Sequence, residues 1–149
     1  MKNRLLKKSG MSLAEVMVAA TIFIIAATGI LLTLLKCMEL EELGRNSQQA
    51  LAGIQTEIDV IKNADFSTIE ATYNNATFTH AALTGMGKVY VDNTDPNLLI
   101  IKVVYCWRQS NRRVIGEDTN LNGTLDAGED KNGNGQIDSY VQVQTQIFG

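Results

Sequence analysis

A run of 20 residues, 16–35, contains no charged side chain and only four residues that are not hydrophobic. A helix of that length measures about 30 Å, which is the thickness of the hydrocarbon core of a bilayer. Four basic residues precede the run within the first eight positions, whereas Glu39, Glu41 and Glu42 follow Lys36. The positive-inside rule then predicts a single-pass transmembrane helix with a cytoplasmic N-terminus.

The basic leader ahead of this run differs from a secretory signal peptide. The segment that follows the run, KCMELEELG, has no small-residue cleavage site, whereas the small residue Gly10 stands before the run. Glu15 lies near the start of the run, where a carboxylate is costly unless it finds a partner. This position makes Glu15 a candidate functional residue.

The sequence KKSG followed by MSLAEVMVAATIFIIAATG resembles the leader and first helix of the type IV pilin-like superfamily, over residues 1 to about 60. The resemblance implies that a prepilin peptidase cuts between Gly10 and Met11, and that Met11 is then N-methylated. It also implies that Glu15 neutralises the new N-terminus of a neighbouring subunit and so sets the register of assembly. The alternative is a plain single-pass anchor in which Glu15 has no such role.

Beyond Lys36 the pattern changes from uniformly apolar to amphipathic. Hydrophobic residues recur at steps of three or four, with charged and amide side chains between them, which is typical of a helix with one buried face. We therefore expect one helix of about 50 residues and about 75 Å, a length that suits the spine of a filament. The predicted buried face consists of Leu40, Leu43, Ser47, Leu51, Ile54, Ile58 and Ile61.

The C-terminal half carries strand-type sequence. Strands are predicted at 88–92, 98–109, 112–116 and 139–148, the last because Val141, Val143, Thr145 and Ile147 alternate with glutamines. The segment 63–86 is rich in turn residues, with a short helix expected at 67–73 because Ser67 and Glu70 have capping-box spacing.

Together these patterns predict an α+β fold in which the long N-terminal helix packs on a roughly four-stranded antiparallel sheet, as in the pilin fold. The strand series KVVYCWRQSNRRVIGED, with the terminal VQTQIFG, is similar to the C-terminal halves of PilV-like minor pilins. The predicted organisation is a prepilin leader at 1–10, a transmembrane or fibre-core helix at 11–35, the amphipathic half of the helix at 36–62, and a globular head at 63–149.

An acidic segment near the C-terminus matches the calcium-loop pattern D-x-[DN]-x-[DN]-G-x5-E at every required position. It reads DTNLNGTLDAGE over residues 118–129, and hard oxygen ligands at this spacing favour Ca²⁺. The predicted ligands are Asp118, Asn120 and Asn122 through side-chain oxygens, Thr124 through its backbone carbonyl, Asp126 directly or through water, and Glu129 as a bidentate carboxylate.

A second copy of the pattern follows at an offset of 12 residues. Its twelfth position is Val141, so this copy lacks the bidentate acid and should bind weakly, or only by borrowing a carboxylate. We expect two EF-hand-like loops over 118–138, without helical flanks and with affinities of about 10⁻⁴ to 10⁻³ M. A solvated acidic loop is the alternative. The predicted ligands of the second copy are Asp130, Asn132, Asn134, Gln136 and Asp138.

The sequence and the resemblance predict a structural minor pilin of a type IV pilus. Its partners would be other pilin subunits, the prepilin peptidase and inner-membrane lipid, and its later location the periplasmic or extracellular fibre. A type II secretion pseudopilin is the alternative within the superfamily, and a membrane-anchored calcium-binding module that never assembles is the alternative from another class.

Other classes of function lack a signal in the sequence. The absence of a phosphate loop, catalytic triad or zinc spacing argues against an enzyme, and no basic stripe with interleaved aromatics suggests a nucleic-acid partner. His80 is expected to be a plain surface or loop residue. Cys37 and Cys106 are expected to be two packed thiols rather than a disulfide, because Cys37 borders the predicted membrane segment.

Overall fold

The computed structural model describes residues 11–149, and the predicted leader at 1–10 lies outside them. The chain divides into two compact units, with the boundary between Glu41 and Glu42. The strands form one five-stranded sheet with antiparallel pairings, so the predicted α+β class is confirmed. The elements are helix α1 (Leu13–Lys62), helix α2 (Phe66–Tyr73) and strands β1 (Thr77–His80), β2 (Leu83–Asp95), β3 (Leu98–Arg108), β4 (Val114–Ile115) and β5 (Val141–Phe148).

In the first unit, the apolar run forms the N-terminal part of α1 and its side chains are exposed. Within residues 11–149, α1 is the helix that is long and apolar enough to cross a membrane. Its three threonines each donate a hydroxyl hydrogen bond to the carbonyl four residues earlier, at 2.5 to 2.9 Å. No hydroxyl of the run therefore needs water as an acceptor, which suits a helix in lipid.

In the second unit, the C-terminal part of α1 packs its apolar stripe on the sheet. The stripe runs through Ala50, Ile54, Ile58 and Ile61, all buried. Leu51, which the sequence pattern placed on this face, is exposed instead, and Ala50 takes its place. Leu40, predicted for the same face, is in the first unit and is also exposed. The small residues Ala50 and Gly53 allow close approach: a Cβ built on Gly53 would lie 3.1 Å from the side chain of His80.

Strand β3 is the centre of the sheet. It pairs with β2 along one edge, and on the other edge it pairs with β5 through Leu98–Tyr105 and with β4 at Trp107 and Arg108. Strands β4 and β5 therefore occupy successive stretches of the same edge of β3. The chain leaves this edge after Ile115 and returns to it at Val141.

The structure differs from the sequence prediction at the start of the sheet. The residues of β1 were predicted to belong to a turn-rich segment, yet they form a strand that pairs with β2. Strand β2 itself begins earlier than predicted. Helix α2 begins at Phe66 with Asp65 as its N-cap residue and no side-chain capping bond, so the predicted capping box from Ser67 to Glu70 does not form. The helix starts two residues too early for Ser67 to lie at the capping position.

The sheet has a core on each face. The larger core joins α1 and α2 to one face of the sheet and includes Val103, Tyr105 and Trp107 of β3. On the opposite face, Val104 and Cys106 contact Ile137, with Leu121 and Leu125 packed beside them. Both cysteines are free thiols, as predicted, but only Cys106 is packed, because Cys37 is exposed. Burial raises the pKa of the Cys106 thiol to about 11.

We predict that Gly116→Ala destabilises the second unit more than Gly128→Ala. Both glycines have positive φ, +112° and +90°, but a Cβ on Gly116 would overlap Cys106 whereas a Cβ on Gly128 would meet no atom within 4 Å. Overpacking should cost Gly116→Ala about 1 to 3 kcal/mol more in the free energy of unfolding. Denaturant unfolding of both variants tests this, and equal losses would show that the contact with Cys106 is not limiting.

Candidate functional site

The predicted calcium loops lie in the excursion between β4 and β5. This segment, residues 116–140, contains no helix and no strand, which agrees with the expectation that the loops lack helical flanks. Leu125 and Ile137 hold it against the sheet face opposite to α1. We refer to residues 118–129 as the first loop and to residues 130–138 as the second loop.

Asp118 organises the beginning of the first loop. Its carboxylate accepts hydrogen bonds from the backbone N–H of Asn122 at 3.1 Å and of Gly123 at 2.8 Å, and the residue is 1% exposed. The turn needs positive φ at Leu121, 60°, and at Gly123, 75°. A built Cβ at Gly123 would also lie 2.5 Å from the side chain of Thr77, so only glycine suits this position.

Three further predicted ligands converge in the middle of the first loop. The side-chain amides of Asn120 and Asn122 both donate to one oxygen of Asp126, at 2.7 and 2.9 Å. These two hydrogen bonds lower the pKa of Asp126, so its carboxylate is charged at neutral pH. Thr124 lies beside them, and its backbone N–H donates to Asn122 at 2.7 Å.

Glu129 closes the first loop. One carboxylate oxygen accepts the backbone N–H of Thr119 at 2.8 Å, and the other accepts that of Asp126 at 3.0 Å. Burial by itself would raise the pKa of Glu129, but the hydrogen bonds from Thr119 and Asp126 outweigh it and the pKa is lowered. A buried carboxylate therefore stays charged because backbone donors replace water around it.

The second loop has the same internal geometry. Asp130 accepts from the backbone of Asn134 and Gly135, and the amides of Asn132 and Asn134 both donate to one oxygen of Asp138, at 2.6 and 2.7 Å. Gly135 has φ of +74°, almost the value of its counterpart Gly123. Gln136 lies at the position of Thr124, and its backbone N–H donates to Asn134.

Two lysines of the sheet contact the loops, and neither was identified from the sequence. Lys102 on β3 donates to Asp138 at 2.5 Å and to the side chain of Gln136 at 3.0 Å. Lys88 on β2 donates to the backbone carbonyl of Gly123 at 2.6 Å. The alternation of side chains along β2 and β3 is enough to predict that both lysines lie on the sheet face opposite to α1. It does not predict that an acid cluster far along the chain lies against that face.

The lysine contacts make the two loops electrostatically different. Burial by itself would raise the pKa of Asp138, but hydrogen bonds from Lys102 and from the two asparagines lower it. Because the ammonium group of Lys102 is already paired with Asp138, a metal ion in the second loop would meet a carboxylate that is partly neutralised. Among residues 11–149, Asp126 of the first loop has no such ion pair.

The residue types of the first loop, rather than a preformed cluster, are those that bind a hard divalent cation. Within the described part of the chain, no three His, Cys, Asp or Glu side chains are grouped closely enough to hold a metal ion. This holds for the three carboxylates of the predicted ligand set, Asp118, Asp126 and Glu129, which the structure does not bring together. By residue type, the set mixes these carboxylates with two amide oxygens and a backbone carbonyl, which suits calcium rather than a transition metal. In that role, Asp118, Asn120, Asn122, Thr124, Asp126 and Glu129 would hold the ion, which would offset the repulsion among their carboxylates.

The second candidate feature is the start of α1. The backbone N–H of Ser12 donates to the Glu15 carboxylate at 2.8 Å, and the backbone N–H of Glu15 donates to the Ser12 hydroxyl at 3.2 Å. This is a reciprocal capping box, and the spacing S-x-x-E in the sequence was a signal for it. Of the predicted processing residues, Met11 is exposed and Gly10 lies outside the described residues.

Comparisons with known proteins give no family for this chain: no family model, no curated protein and no solved structure matches it.

Proposed function

We propose that the chain is a structural subunit of a type IV pilus, a minor pilin that is processed by a prepilin peptidase. The observation that carries this proposal is α1, one helix of 50 residues with an exposed apolar N-terminal part and a C-terminal part that packs on an antiparallel sheet. A lipid-embedded subunit that later enters a fibre needs both parts, because the same apolar surface must be covered first by lipid and then by neighbouring subunits.

A type II secretion pseudopilin has the same requirements and is the second candidate within the superfamily. A membrane-anchored module that never assembles is the candidate from another class. It would need the apolar part of α1 as an anchor, but it would not need a cleaved leader or Glu15.

Mass spectrometry of the mature N-terminus tests the proposal directly. In cells that contain a prepilin peptidase, we expect the chain to begin at an N-methylated Met11, because the peptidase removes residues 1–10. A chain that keeps Met1 in such cells would contradict the pilin proposal and favour the non-assembling anchor. A strain without the peptidase is the control and should yield the uncut chain.

We predict that Glu15→Ala lowers incorporation into fibres but leaves membrane insertion intact. Loss of the carboxylate removes the partner proposed for a neighbouring N-terminus, while the apolar run is unchanged. Ser12→Ala is the matched control, because it removes the hydroxyl of the capping box and retains the carboxylate. Immunoblots of membranes and of sheared fibres measure both steps, and equal incorporation of Glu15→Ala and wild type would refute the register role.

We further propose that the first loop binds calcium in the globular head. Two features support it: the full match to the loop pattern, and the convergence of Asn120 and Asn122 on the carboxylate of Asp126. The second loop is proposed as a weaker site, because Lys102 pairs with Asp138.

Calcium titration of the full chain in detergent tests the site. We expect heat on addition of CaCl₂ and slower proteolysis within 117–138, with affinity lowered about tenfold or more in Asp126→Asn because one anionic ligand is lost. Asp59→Asn on the exposed face of α1 removes the same charge elsewhere and should behave as wild type. If CaCl₂ produces neither heat nor protection in the wild type, the calcium proposal is wrong.

A further inference from the structure

Glu117 has a place in the second loop that its position in the chain does not suggest. It precedes the first loop, yet its carboxylate accepts the backbone N–H of Lys131 at 3.1 Å and of Asp138 at 3.0 Å, both in the second loop. The residue is 7% exposed, so these donors replace most of the water around its charge.

These contacts match those of Glu129 in the first loop. Glu129 accepts from the second and ninth residues of its loop, Thr119 and Asp126. Lys131 and Asp138 are the second and ninth residues of the second loop, and they donate to Glu117 atom for atom in the same way. Each loop is thus closed by a carboxylate in the same geometry.

The sequence carries the same relation as a tandem repeat of 12 residues, EDTNLNGTLDAG followed by EDKNGNGQIDSY. Glu117 and Glu129 are the first residues of the two repeats. Glu129, from the second repeat, closes the first loop. Glu117, from the first repeat, closes the second loop.

Strand pairing explains why the second loop needs an acid from outside. Its twelfth position is Val141, which already belongs to β5, pairs with Tyr105 and packs against the larger core. An acid at that position would bury a charge beside the sheet. The backbone N–H of Glu117 also donates to the carbonyl of Asp138 at 2.9 Å, which holds Glu117 next to the second loop.

We propose that Glu117 is the positioning residue that closes the second loop, so that the two loops form one interlocked unit in which each depends on the acid of the other repeat. The interlock itself does not require metal. For calcium, the consequence is that Glu117 supplies the carboxylate missing from the second loop. This consequence rests on the function proposed above.

Amide hydrogen exchange of the full chain in detergent, followed by NMR without added metal, tests the interlock. In Glu117→Gln we expect exchange at Lys131 and Asp138 to accelerate by about tenfold or more, because an amide accepts more weakly than a carboxylate, while Thr119 and Asp126 change little. Glu129→Gln is the reciprocal variant and should give the opposite pattern. Glu70→Gln, an exposed change on α2, should alter neither loop.

Acceleration confined to the first loop in Glu117→Gln, or no acceleration in either loop, would overturn the interlock. The amides of β3 report whether the sheet remains folded. If the amides of β3 also exchange faster, Glu117→Asp is measured as well, because it keeps the charge on a shorter side chain. The same two outcomes would then overturn the interlock.

Repeating the exchange with CaCl₂ separates this inference from the calcium proposal. If CaCl₂ does not change the exchange rates of the wild type, calcium binding is refuted. The interlock is still decided by the exchange rates measured without metal. If calcium protects the wild type, Glu117→Gln should lose protection in the second loop and keep it in the first. Retention of protection in both loops would refute the role of Glu117 toward the ion.

Discussion

The burial of β3 on both faces is the constraint on which the second unit depends. From Val103 to Trp107 every side chain is buried, so alternate residues need cover on opposite sides of the sheet. The amphipathic part of α1 covers Val103, Tyr105 and Trp107, whereas no helix within residues 11–149 packs on Val104 and Cys106. The loop excursion does so through Leu121, Leu125 and Ile137, which makes the loops part of the folded core rather than an appendage to it.

This use of the loops as a cover imposes an electrostatic cost. Leu125 and Ile137 can reach the sheet only if the acids around them are also brought close to it, and Asp118, Glu117 and Glu129 are among the buried polar residues. Backbone N–H groups offset that cost by donating to each carboxylate, and Lys88 and Lys102 bring positive charge from the sheet. A bound cation would act in the same direction, so metal binding and packing of this face are expected to reinforce each other.

Periodicity predicted the elements whose burial follows a simple repeat. Strand β5, with half-buried residues at every second position, and the 50-residue helix α1 both follow from their patterns. Strand β1 has the same alternation over only four residues, Thr77–His80, and follows the turn at Asn74 and Asn75, so the run is too short to be distinguished from turn-rich sequence. Leu51 was assigned to the buried face because it follows Ser47 by four residues in the pattern of three- and four-residue steps, but the structure buries the smaller Ala50 instead.

The loop pattern illustrates a second limit, because it describes one loop at a time and takes the closing acid from the same segment. In this chain the twelfth residue of the second loop must serve the sheet, since β5 has to begin at Val141 to continue the edge that β4 leaves at Ile115. Strand pairing and loop closure therefore compete for one position, and the sheet takes it. A tandem repeat resolves the conflict. Glu117, its first acid, closes no loop in its own repeat, and it lies beside the second loop, which has no closing acid of its own.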